Sequence, residues 1–230
     1  MSTAANQFLF GIYPYIALAV FLLGSLLRFD RDQYTWKSGS SQLLRRRQLV
    51  LGSNLFHIGI LGIFVGHFVG LLTPIQVFDA LGIGHGFKQG LAIVVGGAFG
   101  LMMLAGLTML LHRRLSDPRV RVNSSFSDVL VLLLLYAQLL LGLSTIFVSL
   151  GHLDGGEMVK FMGWAQHIVT FRPGAADFVA DVHWIFKAHL FLGLTIFLVF
   201  PFTRLVHIWS APVWYLGRRY QIVRTRMRRA

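Results

Sequence analysis

The stretch Leu51–Leu72, with the sequence LGSNLFHIGILGIFVGHFVGLL, decides the fold, because its 22 residues carry no formal charge. About 20 apolar residues in a helix cross the hydrocarbon core of a membrane. The stretch nevertheless holds two histidines, His57 and His67, ten positions apart. A second apolar run, His189–His207, with the sequence HLFLGLTIFLVFPFTRLVH, begins and ends with a histidine. Polar side chains inside apolar spans are costly, so these four imidazoles are candidates for function.

The composition indicates a protein surrounded by lipid. Of its 230 residues, 55% are hydrophobic and 13% are charged, and the mean hydropathy is +0.66. A soluble domain of this length needs more charge, and the short alternating segments of a membrane β-barrel are missing. We predict an all-α, polytopic membrane helical bundle that forms one integral-membrane domain with five transmembrane helices. The predicted spans cover about residues 8–27, 49–72, 90–111, 129–150 and 184–207.

The basic residues predict the orientation of the bundle. They cluster after the first, third and fifth spans, and positively charged segments remain in the cytoplasm. The N-terminus is therefore expected outside (periplasmic), and residues 208–230 are expected to form a basic cytoplasmic tail. Residues 151–183 then form an outer loop, where apolar side chains at helical spacing predict a helix lying along the membrane surface. These side chains are Met158, Phe161, Met162, Ala165, Ile168 and Val169.

The charge and the cysteine count exclude several classes of function. The net charge of +12 is distributed as membrane topology requires, and no soluble recognition fold accompanies it, so we predict no nucleic-acid partner. The chain has no cysteine. Disulfides, cysteine-held Fe–S clusters and covalently attached c-type haem are thus excluded.

The predicted topology pairs the four histidines by depth. Spans two and five run in opposite directions, so His57 should match His207 at the cytoplasmic side and His67 should match His189 at the outer side. Ten helical residues rise about 15 Å whereas eighteen rise about 27 Å, so a tilt or a kink at Pro201 must absorb the difference. Two imidazoles per iron give a six-coordinate electron-transfer centre, and we predict two b-type haems.

Other interpretations of these residues remain open. A histidine in a span is often only hydrogen-bonded to a neighbouring helix, and a haem-free transporter or proton channel is a second class, although charged or broken midspan helices are missing. Arg204 either neutralises haem propionates or is an interfacial residue that reaches water. Five further histidines are expected to be solvated at loops or span ends: His85, His112, His152, His167 and His183.

Four stretches resemble the γ subunit of respiratory membrane-bound nitrate reductase, a di-haem cytochrome b. The first two are GIYPYIALAVFLLGSLLRFDRDQYTW and SNLFHIGILGIFVGHFVGLLTP, and the last two are MVKFMGWAQHIVTF and HLFLGLTIFLVFPFTRLVHIWSAPVWYL. The resemblance itself spans nearly the whole chain. The resemblance implies a multi-pass protein of the bacterial inner membrane with five spans.

The resemblance also implies a set of site residues. The haem ligands of that family correspond to His57, His67, His189 and His207, with the outer haem bound by His67 and His189. Its quinol-site lysine corresponds to Lys88, and Gly66 and His67 are implied to line the same pocket. The residue chemistry of Lys88 alone fits an interfacial lysine equally well.

The activity implied by the resemblance is the electron transfer of a quinol:nitrate oxidoreductase. Quinol is oxidised near the outer haem, and electrons pass through both haems to a cytoplasmic Fe–S subunit and a molybdenum catalytic subunit that reduces nitrate. The subunit is not active on nitrate alone, and membrane lipid surrounds it. A rival interpretation is the cytochrome b subunit of a hydrogenase or formate dehydrogenase, in which electrons flow outward to quinone.

Overall fold

The chain folds into five long apolar helices connected by short helices and turns. The computed structural model describes residues 2–36, 44–211 and 217, and within these residues there is no β-strand. Most of the tail predicted over 208–230 therefore lies outside the described residues. The five helices, hereafter spans 1 to 5, are Thr3–Arg31, Arg46–Leu72, His85–Ser116, Phe126–Ser149 and Trp184–Phe202. The prediction of a five-span helical membrane bundle is confirmed.

Most of each span faces away from the rest of the chain. Only 11–22% of the most apolar window of any span is buried inside the protein. Long apolar side chains, such as Leu61, Val94 and Phe147, are more than half exposed. An exposed apolar surface of this extent would cause aggregation in water, whereas lipid tails solvate it. This agrees with the prediction, made from composition, that lipid surrounds the protein.

Local sequence signals set the ends of the spans. Pro74 lies just after span 2, and Pro118 lies just after span 3. Proline disfavours a helical conformation in the residue before it, so each span ends there. Span 4 begins with a capping box in which Ser125 and Asp128 each accept the other's backbone N–H. Span 1 contains one π-helical turn, Phe8–Ile12, which ends two residues before Pro14, a residue without a backbone N–H.

The helices pack so that spans 2 and 5 have different neighbours. Span 2 packs on span 3, and span 5 packs on spans 1 and 4. The loop between spans 4 and 5 contains the helix Gly156–Val169, which packs against span 2 and the 3₁₀ turn Ala175–Val179. Met162, Ala165 and Ile168 of that helix are buried, as their spacing suggests. Two short helices, Ile75–Ala80 and Pro118–Val122, complete the connections.

The fifth span differs from the predicted range of 184–207. Its α-helix covers Trp184–Val199, and two 3₁₀ segments follow, Phe200–Phe202 and Arg204–Ser210, separated at Thr203 by an extended residue. Proline cannot continue an α-helix without losing a hydrogen bond and clashing with the preceding turn, so Pro201 ends the helix rather than kinking it. His207 therefore lies beyond the helix, in the second 3₁₀ segment.

Candidate functional site

The four span histidines meet in the two predicted pairs. The ring centres of His57 and His207 are 6.4 Å apart, and those of His67 and His189 are 6.2 Å apart. A metal–imidazole bond is about 2 Å long, so two imidazoles on opposite sides of one metal have ring centres roughly 6 Å apart. Each pair would therefore be able to hold one metal ion between its two rings.

Three of the paired imidazoles are oriented by backbone carbonyls. The Nδ1 atoms of His57, His67 and His207 lie 2.7, 2.9 and 2.6 Å from the carbonyl oxygens of Ser53, Ile63 and Arg204. A carbonyl only accepts, so Nδ1 donates and carries the proton. This bond fixes the tautomer and leaves Nε2 with the lone pair that a metal needs.

His189 contacts residues of span 4 instead. The Gln138 amide nitrogen lies 3.4 Å from its Nε2, and its buried Nδ1 has no hydrogen-bond partner within the described ranges. Gly142 adjoins the ring, since a Cβ at that position would lie 2.9 Å from Cε1. A buried nitrogen without a partner is costly and suits a position where another group binds.

The break in span 5 brings His207 to the depth of His57. Arg28 of span 1 donates from Nη1 to the carbonyl oxygens of Pro201 and Thr203, at 2.6 and 2.9 Å. These bonds satisfy carbonyls that the interrupted helix leaves unpaired. The Thr203 hydroxyl accepts from the backbone N–H of Leu205 at 3.2 Å and so caps the segment that carries His207. This break explains how histidines that are ten residues apart in span 2 can pair with histidines that are eighteen residues apart in and after span 5.

Lys88 lies at the other end of the bundle, close to the end of span 2. Its Nζ donates to the Gly70 carbonyl oxygen at 3.0 Å, lies 2.8 Å from Met162 Sδ and sits 3.8 Å from the centre of the Phe78 ring. Gly70 is three residues beyond His67 in the same helix. The ammonium group is therefore positioned about one helical turn from the His67–His189 pair. The end of the bundle that holds this pair is hereafter called the His189 end, and the opposite end is called the His207 end.

Sequence comparison assigns this chain to a known family of proteins. Residues 6–226 match the nitrate reductase gamma subunit family. The chain belongs to this family. It is 56% identical over 221 residues to the respiratory nitrate reductase 1 gamma chain of Escherichia coli (strain K12), covering 96% of this chain and 98% of that one.

More distant relatives extend the comparison. The nitrate reductase gamma chain of Bacillus subtilis (strain 168) is 40% identical over 222 residues, covering 96% of this chain and 99% of that one. A cytochrome b-like subunit of an Hdr-like menaquinol oxidoreductase from Archaeoglobus profundus is 29% identical over 212 residues, covering 91% of this chain and 60% of that one. Family membership and the five apolar helices confirm a multi-pass protein of the bacterial inner membrane.

The glycines of span 2 divide into two groups. Gly52, Gly59 and Gly62 face span 3, where added Cβ atoms would lie 3.1, 2.6 and 2.5 Å from atoms of Met109, Met103 and Phe99. They allow close helix packing. Gly66 differs, because a Cβ there would meet nothing within 4 Å. In this member of the gamma-subunit family, Gly66 thus lies beside open space next to His67.

The remaining predicted residues lie outside the two histidine pairs. Arg204 is one-quarter exposed and pairs with Asp128, with Nη1 and Oδ1 3.5 Å apart. His85 pairs with Asp79 at 3.0 Å. The expectation that His167 is solvated was wrong, because its Nδ1 donates to the Gly163 carbonyl oxygen at 2.8 Å and its half-buried ring packs against Phe178. His112, His152 and His183 are exposed, as predicted. In the described part of the chain, no cluster of three or more His, Asp or Glu side chains could hold a metal ion.

Sequence reasoning missed Gln138, Gly142, Arg28 and Asp128. The first three make contacts between residues far apart in the chain, and nothing in their local sequence indicates those partners. Asp128 did have a local signal: it follows Ser125 by three residues, which is the spacing of a capping box at the start of a helix.

Proposed function

We propose that this chain is the membrane cytochrome b subunit of a nitrate reductase and that it binds two b haems. His57 and His207 would hold the inner haem, and His67 and His189 the outer one. The observation that carries the proposal is the ring spacing, which is nearly the same in two separate histidine pairs and matches bis-imidazole ligation. When bound, each haem supplies one-electron transfer without an open position for other ligands.

Residues of this chain orient the histidines at the two proposed haem sites. The carbonyl bonds of His57, His67 and His207 hold their rings with Nε2 available. Gln138 and Gly142 shape the space around His189. Arg204 supplies positive charge beside His207, where it would offset the negative charge of haem propionates.

The proposed quinol site lies at the His189 end, among Lys88, Gly66 and His67. The ammonium group of Lys88 already donates to a backbone carbonyl one turn from His67, and it would donate in the same way to a quinol oxygen. Open space beside Gly66 suits the close approach of a flat ring. Quinol oxidation there would release its protons outside, given the predicted orientation.

The proposed partners are an Fe–S subunit and a molybdenum catalytic subunit, both in the cytoplasm. They would dock at the His207 end and receive the electrons there. Support comes from relatives named as gamma chains of nitrate reductases. The same names favour this role over a hydrogenase or formate dehydrogenase subunit. Membrane lipid would cover the exposed apolar faces of the spans.

The test is the reduced-minus-oxidised absorption spectrum of the purified membrane complex, with haem counted per chain. We expect two b haems. His189→Gln should remove the outer haem alone, whereas His183→Gln, an exposed histidine at the same end, should remove neither.

Three results would contradict the proposal in different ways. A spectrum without b-type bands would favour the haem-free transporter. One haem per chain would exclude the second pair. Loss of the inner haem in His189→Gln would show that the histidines are paired differently.

A further inference from the structure

Three charged side chains from different parts of the chain meet at the His207 end. Asp128 Oδ2 lies 3.3 Å from Arg114 Nη1, and Asp128 Oδ1 lies 3.5 Å from Arg204 Nη1. The side chains of Arg114, Asp128 and Arg204 are 9%, 13% and 25% exposed. Spans 3 and 4 and the segment after span 5 each contribute one of them. A carboxylate shared by two guanidiniums leaves one positive charge in this cluster.

Asp128 is fixed in place by further hydrogen bonds. Its Oδ2 accepts the backbone N–H of Ser125 at 3.1 Å as part of the capping box. Arg114 is held as well, because its Nη1 donates to the Ser124 hydroxyl at 2.8 Å. Arg204 is the most exposed member of the cluster. The carboxylate of Asp128 therefore acts as the rigid anchor for Arg204.

Arg204 connects this cluster to His207. Its guanidinium pairs with Asp128, and its backbone carbonyl oxygen lies 2.6 Å from Nδ1 of His207. A group that holds Arg204 thus also holds the carbonyl that orients the imidazole. The three side chains of the cluster are largely buried, so water would screen their charge only weakly from a group bound at His207.

We propose that Asp128 is a positioning residue that sets the reduction potential of the inner centre, through the net charge of the Arg114–Asp128–Arg204 cluster and the placement of Arg204. This inference rests on the proposed function, since it requires a redox group at His207. Nearby positive charge favours the form that holds one more electron. Loss of the Asp128 charge should favour reduction, and loss of the Arg204 charge should oppose it.

The experiment is an optical redox titration of both haems in the purified complex for three variants. Asp128→Asn should raise the reduced-to-oxidised ratio of the inner haem about tenfold at a fixed potential, which corresponds to about 59 mV for one electron. Arg204→Gln should shift the same haem in the opposite direction. Ser125→Ala removes the cap but keeps every charge, so it should shift neither haem, and the outer haem should be unchanged throughout.

The outcomes separate this inference from the function on which it rests. Equal shifts in Asp128→Asn and Ser125→Ala would show a purely structural role and overturn the proposal. A raised or unchanged ratio in Arg204→Gln would also overturn it, even if Asp128→Asn failed to assemble. Wild-type protein without haem bands would instead overturn the proposed function.

Discussion

The imidazole of His189 packs directly against the backbone of Gly142, where an added methyl group would lie 2.9 Å from Cε1. We predict that Gly142→Ala displaces the ring and weakens the proposed outer haem site, because overpacking of a tight contact costs about 1–3 kcal/mol. The measurement is haem content per chain, resolved by spectrum, together with thermal unfolding in detergent.

Gly96→Ala is the matched control for this change. It makes the same substitution inside a span, at a position where a Cβ would meet nothing within 4 Å. The control should keep both haems and its unfolding temperature. Full outer-haem content in Gly142→Ala would show that the ring has room to move.

Lys88 gives the second prediction at this scale. Lys88→Met keeps much of the side-chain volume but removes the ammonium donor, and a hydrogen bond to a charged group contributes about 1.5–3 kcal/mol. We expect kcat/KM for quinol to fall about 10- to 100-fold while haem content stays normal. Lys160→Met is the control, because Lys160 lies in the nearby helix Gly156–Val169 and pairs with Glu157. A similar loss in both variants would argue against a specific role of Lys88 in binding quinol.

Single residues also mark what the sequence could and could not predict. The pairing of His57 with His207 followed from hydropathy and charge, because these properties determine span direction and therefore depth. The contact of Gln138 with His189 was not predictable in this way, since 51 positions separate them and only the packing of spans 4 and 5 brings them together.

At the scale of elements, the interruption of span 5 matters most. Its hydrogen bonds come from Arg28, which is 173 and 175 positions from the two carbonyl-bearing residues. The sequence predicted a helix tilt or a kink at Pro201, because proline was the visible local signal. Pro201 ends the helix, and Arg28 of span 1 donates to two carbonyls at the break. No local pattern in the sequence shows that donor.

Arg28→Gln should therefore loosen the segment that carries His207. The shorter amide cannot replace two charge-assisted bonds, and we expect the free energy of unfolding to fall by about 1.5–3 kcal/mol. Inner-haem content should fall while outer-haem content remains. Thermal unfolding and the haem spectrum measure the two effects.

Arg31→Gln provides the comparison, because Arg31 is an exposed arginine in the last turn of the same span. It should behave as the wild type does. If the outer haem were lost from Arg28→Gln as readily as the inner one, general unfolding of the bundle would be the better explanation.

At the scale of the whole molecule, the orientation in the membrane is open to a direct measurement. The chain has no cysteine, so each introduced cysteine is a unique label site. Asn123 lies between spans 3 and 4, Leu153 lies between spans 4 and 5, and both are exposed. In intact cells stripped of their outer membrane, an impermeant maleimide should label Leu153→Cys. Asn123→Cys should react only after the membrane is opened, and the reverse pattern would invert the predicted topology.

The bundle as a whole was predictable because the properties that determine it are local. Apolar length gives five spans, and basic residues give their expected direction. The helix Gly156–Val169 was visible from the spacing of its apolar residues. The division of glycines between helix packing and open space was not, because Gly62 and Gly66 look alike in the sequence and differ only in what lies opposite them.

The short fifth span has a consequence for biosynthesis. Span 5 has 19 residues, enough to cross a bilayer, and His207 lies outside it. His57, His67 and His189 lie inside spans 2 and 5, so we expect them to enter the membrane with those helices. The segment Arg204–Ser210, which carries His207, instead contacts the N-terminal part of the chain, where Trp36 Nε1 donates to the Ser210 hydroxyl at 2.5 Å. We therefore expect the outer site to mature first and the inner site to be completed last, once the first and last parts of the chain have met.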